Sequence, residues 1–99
     1  MEIKNYQQFI NIKDDIFIIL AKTKTCNVCN AIEPIILEVL NNYPQVKYYS
    51  IFIENVLEYS GQQLVFTVPT LIIYKNKKEY ARLSRFILKN ELERILSSL

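Results

Sequence analysis

Residues 16–21, IFIILA, form an unbroken apolar run rich in β-branched side chains. A strand with one wet face alternates polar and apolar residues, so a run without alternation belongs inside a sheet covered on both faces. Beyond it, Ile32, Ile35, Ile36, Val39, Leu40 and Tyr43 recur at three-and-four spacing as far as Pro44, the pattern of an amphipathic helix. Residues 46–53, VKYYSIFI, then read as a second strand, with Tyr49, Ile51 and Ile53 on one face and Val46, Tyr48 and Phe52 on the other. Strand, long helix and strand in succession make a βαβ unit. Its two strands are parallel and its crossover is right-handed.

The remaining segments complete an α/β sandwich. Tyr6, Phe9 and Ile10 predict a short helix capped by Asn5, and Asn55 with Glu58 three residues later predicts a capping box for another, which Gly61 would loosen. Residues 70–75, a turn at Asn76 to Lys78, and a strand to about Leu83 read as a hairpin. Leu88, Leu92, Ile95, Leu96 and Leu99 form one stripe of a terminal helix. We therefore expect one domain over residues 1–99, with a mixed four-stranded sheet and helices on both faces. A chain that is 51% hydrophobic can fill one core of that size.

Charge and composition remove several classes of function. Twelve basic against ten acidic residues give a net charge of +2, too balanced for a nucleic-acid or anionic membrane surface. Tyr48 and Tyr49 accordingly read as packing residues rather than a stacking platform for bases. The polar MEIKNYQQF start lacks the apolar core of a signal peptide, and IFIIL is too short to span a bilayer, so a cytoplasmic chain with no membrane partner is expected. Lys75, Lys77 and Lys78 fall at a solvated turn, and Glu33, Glu38, Asn41 and Asn42 on the wet face of the long helix.

Chemistry concentrates in TKTCNVCNAIEP, residues 23–34, which holds both cysteines of the chain. Cys26 and Cys29 fall where a strand's carboxyl end meets the first turn of the crossover helix. Free backbone N–H groups and the positive end of the helix dipole there stabilise a thiolate over a thiol. Lys22 and Lys24 add positive charge, and no acid lies between Ala21 and Ala31. A thiol of pKa about 8.5 is a few per cent ionised at neutral pH, whereas one near 7 is about half ionised. With two Cys and no His, one chain cannot complete a zinc or iron–sulfur site, so neither metal nor cofactor is expected. A redox pair, an inert staple, buried apolar thiols and a metal shared across a dimer remain the open readings.

A C-x-x-C pair beside a βαβ unit marks a thioredoxin-like redox site, and the chain as a whole resembles the thioredoxin family. CNVCNAIEP has the family's spacing, with helix residue Pro34 five positions after Cys29, and FTVPTLIIYKN is similar to the family's second signature. The resemblance implies a thioredoxin-like fold, a cis bond before Pro69, and thiol–disulfide exchange. Cys26 would be the nucleophile and Cys29 the resolving thiol, with Val68, Pro69 and Thr25 meeting the substrate. Its partners would be disulfide-containing proteins or small thiols, and a recycling reductase, for a monomeric enzyme. Several residues depart from the family pattern. Thr25 stands where Trp is usual, and Asn27-Val28 replaces Gly-Pro. Leu20 takes the place of a buried aspartate, and Arg85 that of a glycine in a substrate-facing loop, where it would favour acidic clients or block large ones. These departures feed a second reading, a redox sensor or binding module of the same fold without turnover.

Overall fold

The structure, a computed structural model, describes residues 1–99. Its elements are β1 (Glu2–Ile3), α1 (Tyr6–Ile10), β2 (Ile16–Lys22), α2 (Asn27–Leu40), β3 (Lys47–Phe52), α3 (Leu57–Gln63), β4 (Thr70–Lys75), β5 (Lys78–Ser84) and α4 (Lys89–Ser97). The sheet runs β1-β3-β2-β4-β5. β3 is parallel to both β1 and β2, whereas β4 is antiparallel to β2 and β5. The four expected strands are present, and a fifth corrects the count. β1 adds Glu2 and Ile3 to the outer edge of β3, opposite Ser50 and Ile51. Two residues are too few to show the alternation by which strands are recognised.

The unbroken run in β2 has the expected cause. Phe17, Ile19 and Ala21 face a core built with Ile51, Tyr59, Ile72 and Tyr74, while Ile18 and Leu20 face a second core with Ile36, Val39, Leu71, Leu92 and Leu96. These five residues of β2 are buried, and Ile16 and Lys22 at its ends are partly so. The first core lies under α1 and α3 and carries the aromatic packing, with Phe17 stacked on Tyr74 at 4.8 Å and Phe9 edge-on to Tyr59 at 5.0 Å. The second lies under α2 and α4.

Three local expectations change. α2 ends at Leu40, not Pro44, because Tyr43 N–H donates to the Leu40 carbonyl at 2.9 Å and tightens the chain out of the helix. Asn55 does not cap α3. Its N–H closes a turn onto the Phe52 carbonyl at 3.0 Å, and the buried Val56 takes the cap position without a side-chain bond. Leu88 precedes α4 and is exposed, so the buried stripe there starts at Leu92. Asn5 does cap α1, its Oδ1 accepting the Gln8 N–H at 2.9 Å. α3 closes on Leu64 in the left-handed region at φ 56°, and Arg82 of β5 donates to the carbonyls of Gln63 at 2.7 Å and Leu64 at 2.9 Å.

Strand direction places the site. β2 and β3 end, β4 begins and β5 ends at one edge of the sheet. The loops holding Cys26, Glu54, Pro69 and Arg85 therefore all leave from that edge.

Candidate active site

Cys26 is the N-cap of α2, in extended conformation at φ −84° and ψ 98°. Its Sγ accepts the backbone N–H of Cys29 at 3.1 Å, and its carbonyl accepts the Asn30 N–H at 3.3 Å. A cap is usually a small oxygen-bearing side chain; here sulfur occupies the place and receives one of the helix's free donors. Hydrogen bonding to sulfur and the helix dipole both favour negative charge at that atom. The first turn of α2 contains no acid. Cys26 is half-buried, whereas Cys29, inside the first turn, is sealed from solvent. The two sulfurs are joined in a disulfide with Cα atoms 5.2 Å apart. No cluster of His, Cys, Asp and Glu side chains that could hold a metal is present.

Across the same sheet edge, the Val68–Pro69 bond is cis. Pro69 is buried and Val68 half-buried, and the Thr70 hydroxyl donates to the Thr67 carbonyl at 2.7 Å, tying the loop to itself. Thr25 is exposed, immediately before Cys26. The fold thus gathers Thr25, Cys26, Cys29, Val68 and Pro69 at one end. Leu20, where the family carries an acid, is fully buried hydrocarbon in the core under α2.

The charge distribution differs from the sequence expectation. Glu33 is not on a wet face: it takes an ion pair from Lys22 at 2.9 Å and a hydrogen bond from the Tyr48 hydroxyl. Lys22 also lies 5.0 Å from the Phe52 ring centroid. Burial works against ionising Glu33, but the bonds from Tyr48 and Lys22 outweigh it and hold its carboxyl below the usual range. Burial, reinforced by the bond to Glu33, drives the Tyr48 phenol upward. Glu54, on the β3–α3 connection, accepts the Lys24 backbone N–H at 3.0 Å. The stretch without acids is local to the sequence only. Folding supplies a carboxylate that engages the Lys22 charge, leaving the helix terminus and Lys24 as the positive influences beside Cys26. A spacing signal for this did exist: Glu33 follows Cys29 by four residues, one helical turn along the same face.

Comparison with known proteins agrees with this architecture. The family model described as Thioredoxin matches residues 1–98. The chain is similar to the thioredoxin-like protein YdfQ of Bacillus subtilis (strain 168), with 37% identity over 71 residues, 72% of this chain and 63% of that protein. It is also similar to Thioredoxin 2 of Plasmodium berghei (strain Anka), with 32% identity over 89 residues, 89% of this chain and 57% of that protein. It thus spans less than two thirds of either curated relative. Among solved structures, mitochondrial Thioredoxin 3 from Saccharomyces cerevisiae in its oxidised form superposes with a TM-score of 0.89 at 18% identity, covering 100% of this chain and 94% of that one. No helix is long and apolar enough to cross a membrane. With a matching family model over nearly its whole length, the cysteine pair at a helix start and the same backbone architecture, the chain belongs to the thioredoxin family.

Proposed function

We propose that this protein is a thiol–disulfide oxidoreductase that reduces disulfides of other proteins through Cys26 and Cys29. One observation carries the reading: the partly exposed sulfur of Cys26 sits as the cap of α2 and accepts the N–H of Cys29, whose own sulfur is sealed behind it and already bridged to Cys26. In the reduced chain, the Cys26 thiolate attacks one sulfur of a client disulfide. The client S–S bond breaks and its second sulfur leaves as a thiolate that takes up a proton. Cys29 then gives up its proton and attacks the Cys26 sulfur. This closes the 26–29 bridge and expels the client's remaining thiolate. Two electrons pass from the chain to the client.

Leu20 brings no acid to this step, so the Cys29 proton goes to water or to the departing client thiolate. None of the molecule's surface hollows is lined by either cysteine. A partly exposed sulfur outside any enclosed hollow suits an extended protein segment lying against Thr25, Val68 and Pro69 better than an enclosed small substrate. A recycling dithiol or reductase, a monomeric working state and a cytoplasmic setting belong to the same reading. The low cysteine count supports the last, since two cysteines cannot form the disulfide framework of a small secreted domain.

Insulin reduction with dithiothreitol as electron donor tests the proposal. Turnover that Cys26→Ser abolishes, with a stable mixed disulfide accumulating in Cys29→Ser, is the expected result. Reversible oxidation of the pair without turnover overturns it in favour of the sensor reading, which the apolar Leu20 behind the site supports.

A further inference from the structure

The β4–β5 register brings Thr70 opposite Ser84. One residue further, the Arg85 backbone N–H donates to the Pro69 carbonyl at 2.8 Å. Arg85 is therefore anchored beside the segment that the proposed function assigns to client binding. It is held at φ 65°, a left-handed conformation unfavourable for a residue with a Cβ. Its side chain is exposed and makes no hydrogen bond. The chain's ion pairs are carried by Lys22, Arg82, Lys89 and Arg94, none by Arg85.

Exposed apolar side chains stand on the loops and the α2 start at the same end of the sheet. Phe86 is 82% exposed, Phe66 74% and Val28 58%. Two large aromatic rings are left in water on the two loops joined by the Arg85–Pro69 backbone bond, the kind of exposed apolar side chain that a bound segment can cover. On the three loops bearing Cys26, Pro69 and Arg85 the charge has one sign. Residues 64–70 carry no charge, Lys24 is the only charged residue of 23–30, and Arg85 the only one of 84–88. Glu54, on the neighbouring β3–α3 connection, is bonded to the Lys24 N–H at 3.0 Å. β3 and β5 stand three strand spacings apart, about 14 Å, beyond the screening length of about 8–10 Å at physiological salt. Arg85 is the charge anchored to the Pro69 segment itself, through its backbone bond to the Pro69 carbonyl.

Resting on the assignment of Cys26 and Cys29 as a disulfide-reducing pair, we propose that Arg85 is a specificity-determining residue that selects protein disulfides flanked by acidic and apolar residues. An extended client segment beside Pro69 brings a carboxylate under the guanidinium, which can grip it with two parallel bonds, while its apolar neighbours cover Phe66 and Phe86. The alternative role for the same side chain is a steric gate against large clients, and the two roles differ in their dependence on client charge.

The test uses two disulfide-bridged peptides, identical except that glutamates or lysines flank the bridge. The kcat/KM ratio is measured with dithiothreitol as donor at low and high salt. One exposed charge pair predicts about a two- to five-fold preference for the glutamate peptide at low salt, fading at high salt. The preference is weakened in Arg85→Lys, which keeps the charge but not the two-bond grip, lost in Arg85→Gln and inverted in Arg85→Glu. The ratio cancels any general loss of activity in a variant. An unchanged ratio in Arg85→Gln, or equal acceleration of both peptides, overturns the proposal; the second outcome identifies a gate. The wild-type chain is also assayed on the neutral 2-hydroxyethyl disulfide. Reduction there without any peptide preference refutes the role of Arg85 alone, whereas no reduction of any disulfide brings down the reading of the cysteines and this inference with it.

Discussion

Replacing Glu33 with glutamine removes one negative charge and little volume from a network that links β2, α2 and β3 at the site end of the sheet. The side chains of Lys22 and Glu33 are 12% and 23% exposed. The pair is therefore neither a surface bridge, worth at most about 1 kcal/mol, nor a fully buried one, whose breakage costs about 3–5 kcal/mol. Glutamine can still accept the Tyr48 hydroxyl, and the released Lys22 ammonium still lies 5.0 Å from the Phe52 ring centroid, so neither group is stranded. The cost should fall between those limits and toward the lower one, about 1–2 kcal/mol at pH 7, or about 4–16 °C in Tm for a domain of this size. The pH dependence has a definite sign. Burial opposes the charge on Glu33, but Tyr48 and Lys22 prevail and its folded carboxyl lies below the usual range. Its contribution is fully present above the unfolded value of about 4.3 and is lost as pH falls through the lower folded value. Urea denaturation of the oxidised wild type and Glu33→Gln, from pH 7 down to pH 2, should show a gap that closes in acid. Equal stability at pH 7, or a gap that survives undiminished at pH 2, refutes the argument.

Other outcomes follow from features away from the sulfurs. Leu64→Gly should stabilise the chain by about 0.5–1 kcal/mol in urea, since Leu64 is exposed and closes α3 at φ 56°, where glycine is unstrained. Arg82→Ala should cost about 1–3 kcal/mol and speed amide exchange over residues 64–69, because Arg82 satisfies the Gln63 and Leu64 carbonyls and bridges to Glu79. Burial and the bond to Asp14 push the Tyr49 phenol up to about 12. Spectrophotometric titration should find it ionising there, and the stability from its neutral form should be full below about pH 10 and lost as pH rises toward 12.

What the sequence reveals divides along physical lines. β2 is legible because burial on both faces removes alternation, and α2 because its apolar stripe is long. The cysteines are legible because their position depends only on where that strand stops and that helix starts. β1 is not legible: two residues have no period, and their pairing with Ser50 and Ile51 joins segments far apart in sequence. The same non-locality hides the Glu33 network. Lys22 and Tyr48 meet the carboxylate only because β2 and β3 lie side by side beneath α2. The Asn55 cap fails for a local reason: a neighbouring turn claims its backbone and buries Val56 at the helix start, a competition that a four-residue motif does not express. Arg85 is visible as an unusual residue, but its bond to the Pro69 carbonyl depends on the hairpin register.

The central claim is that a helix terminus holds the Cys26 sulfur as an accessible anion. Following thiolate absorbance against pH in the reduced chain, with Cys29→Ser to isolate the first sulfur, tests it most directly. The account predicts a midpoint clearly below the free-thiol value of about 8.5, and alkylation of Cys26 well ahead of Cys29 in the wild type. A midpoint at or above 8.5, or equal alkylation of the two sulfurs, contradicts it.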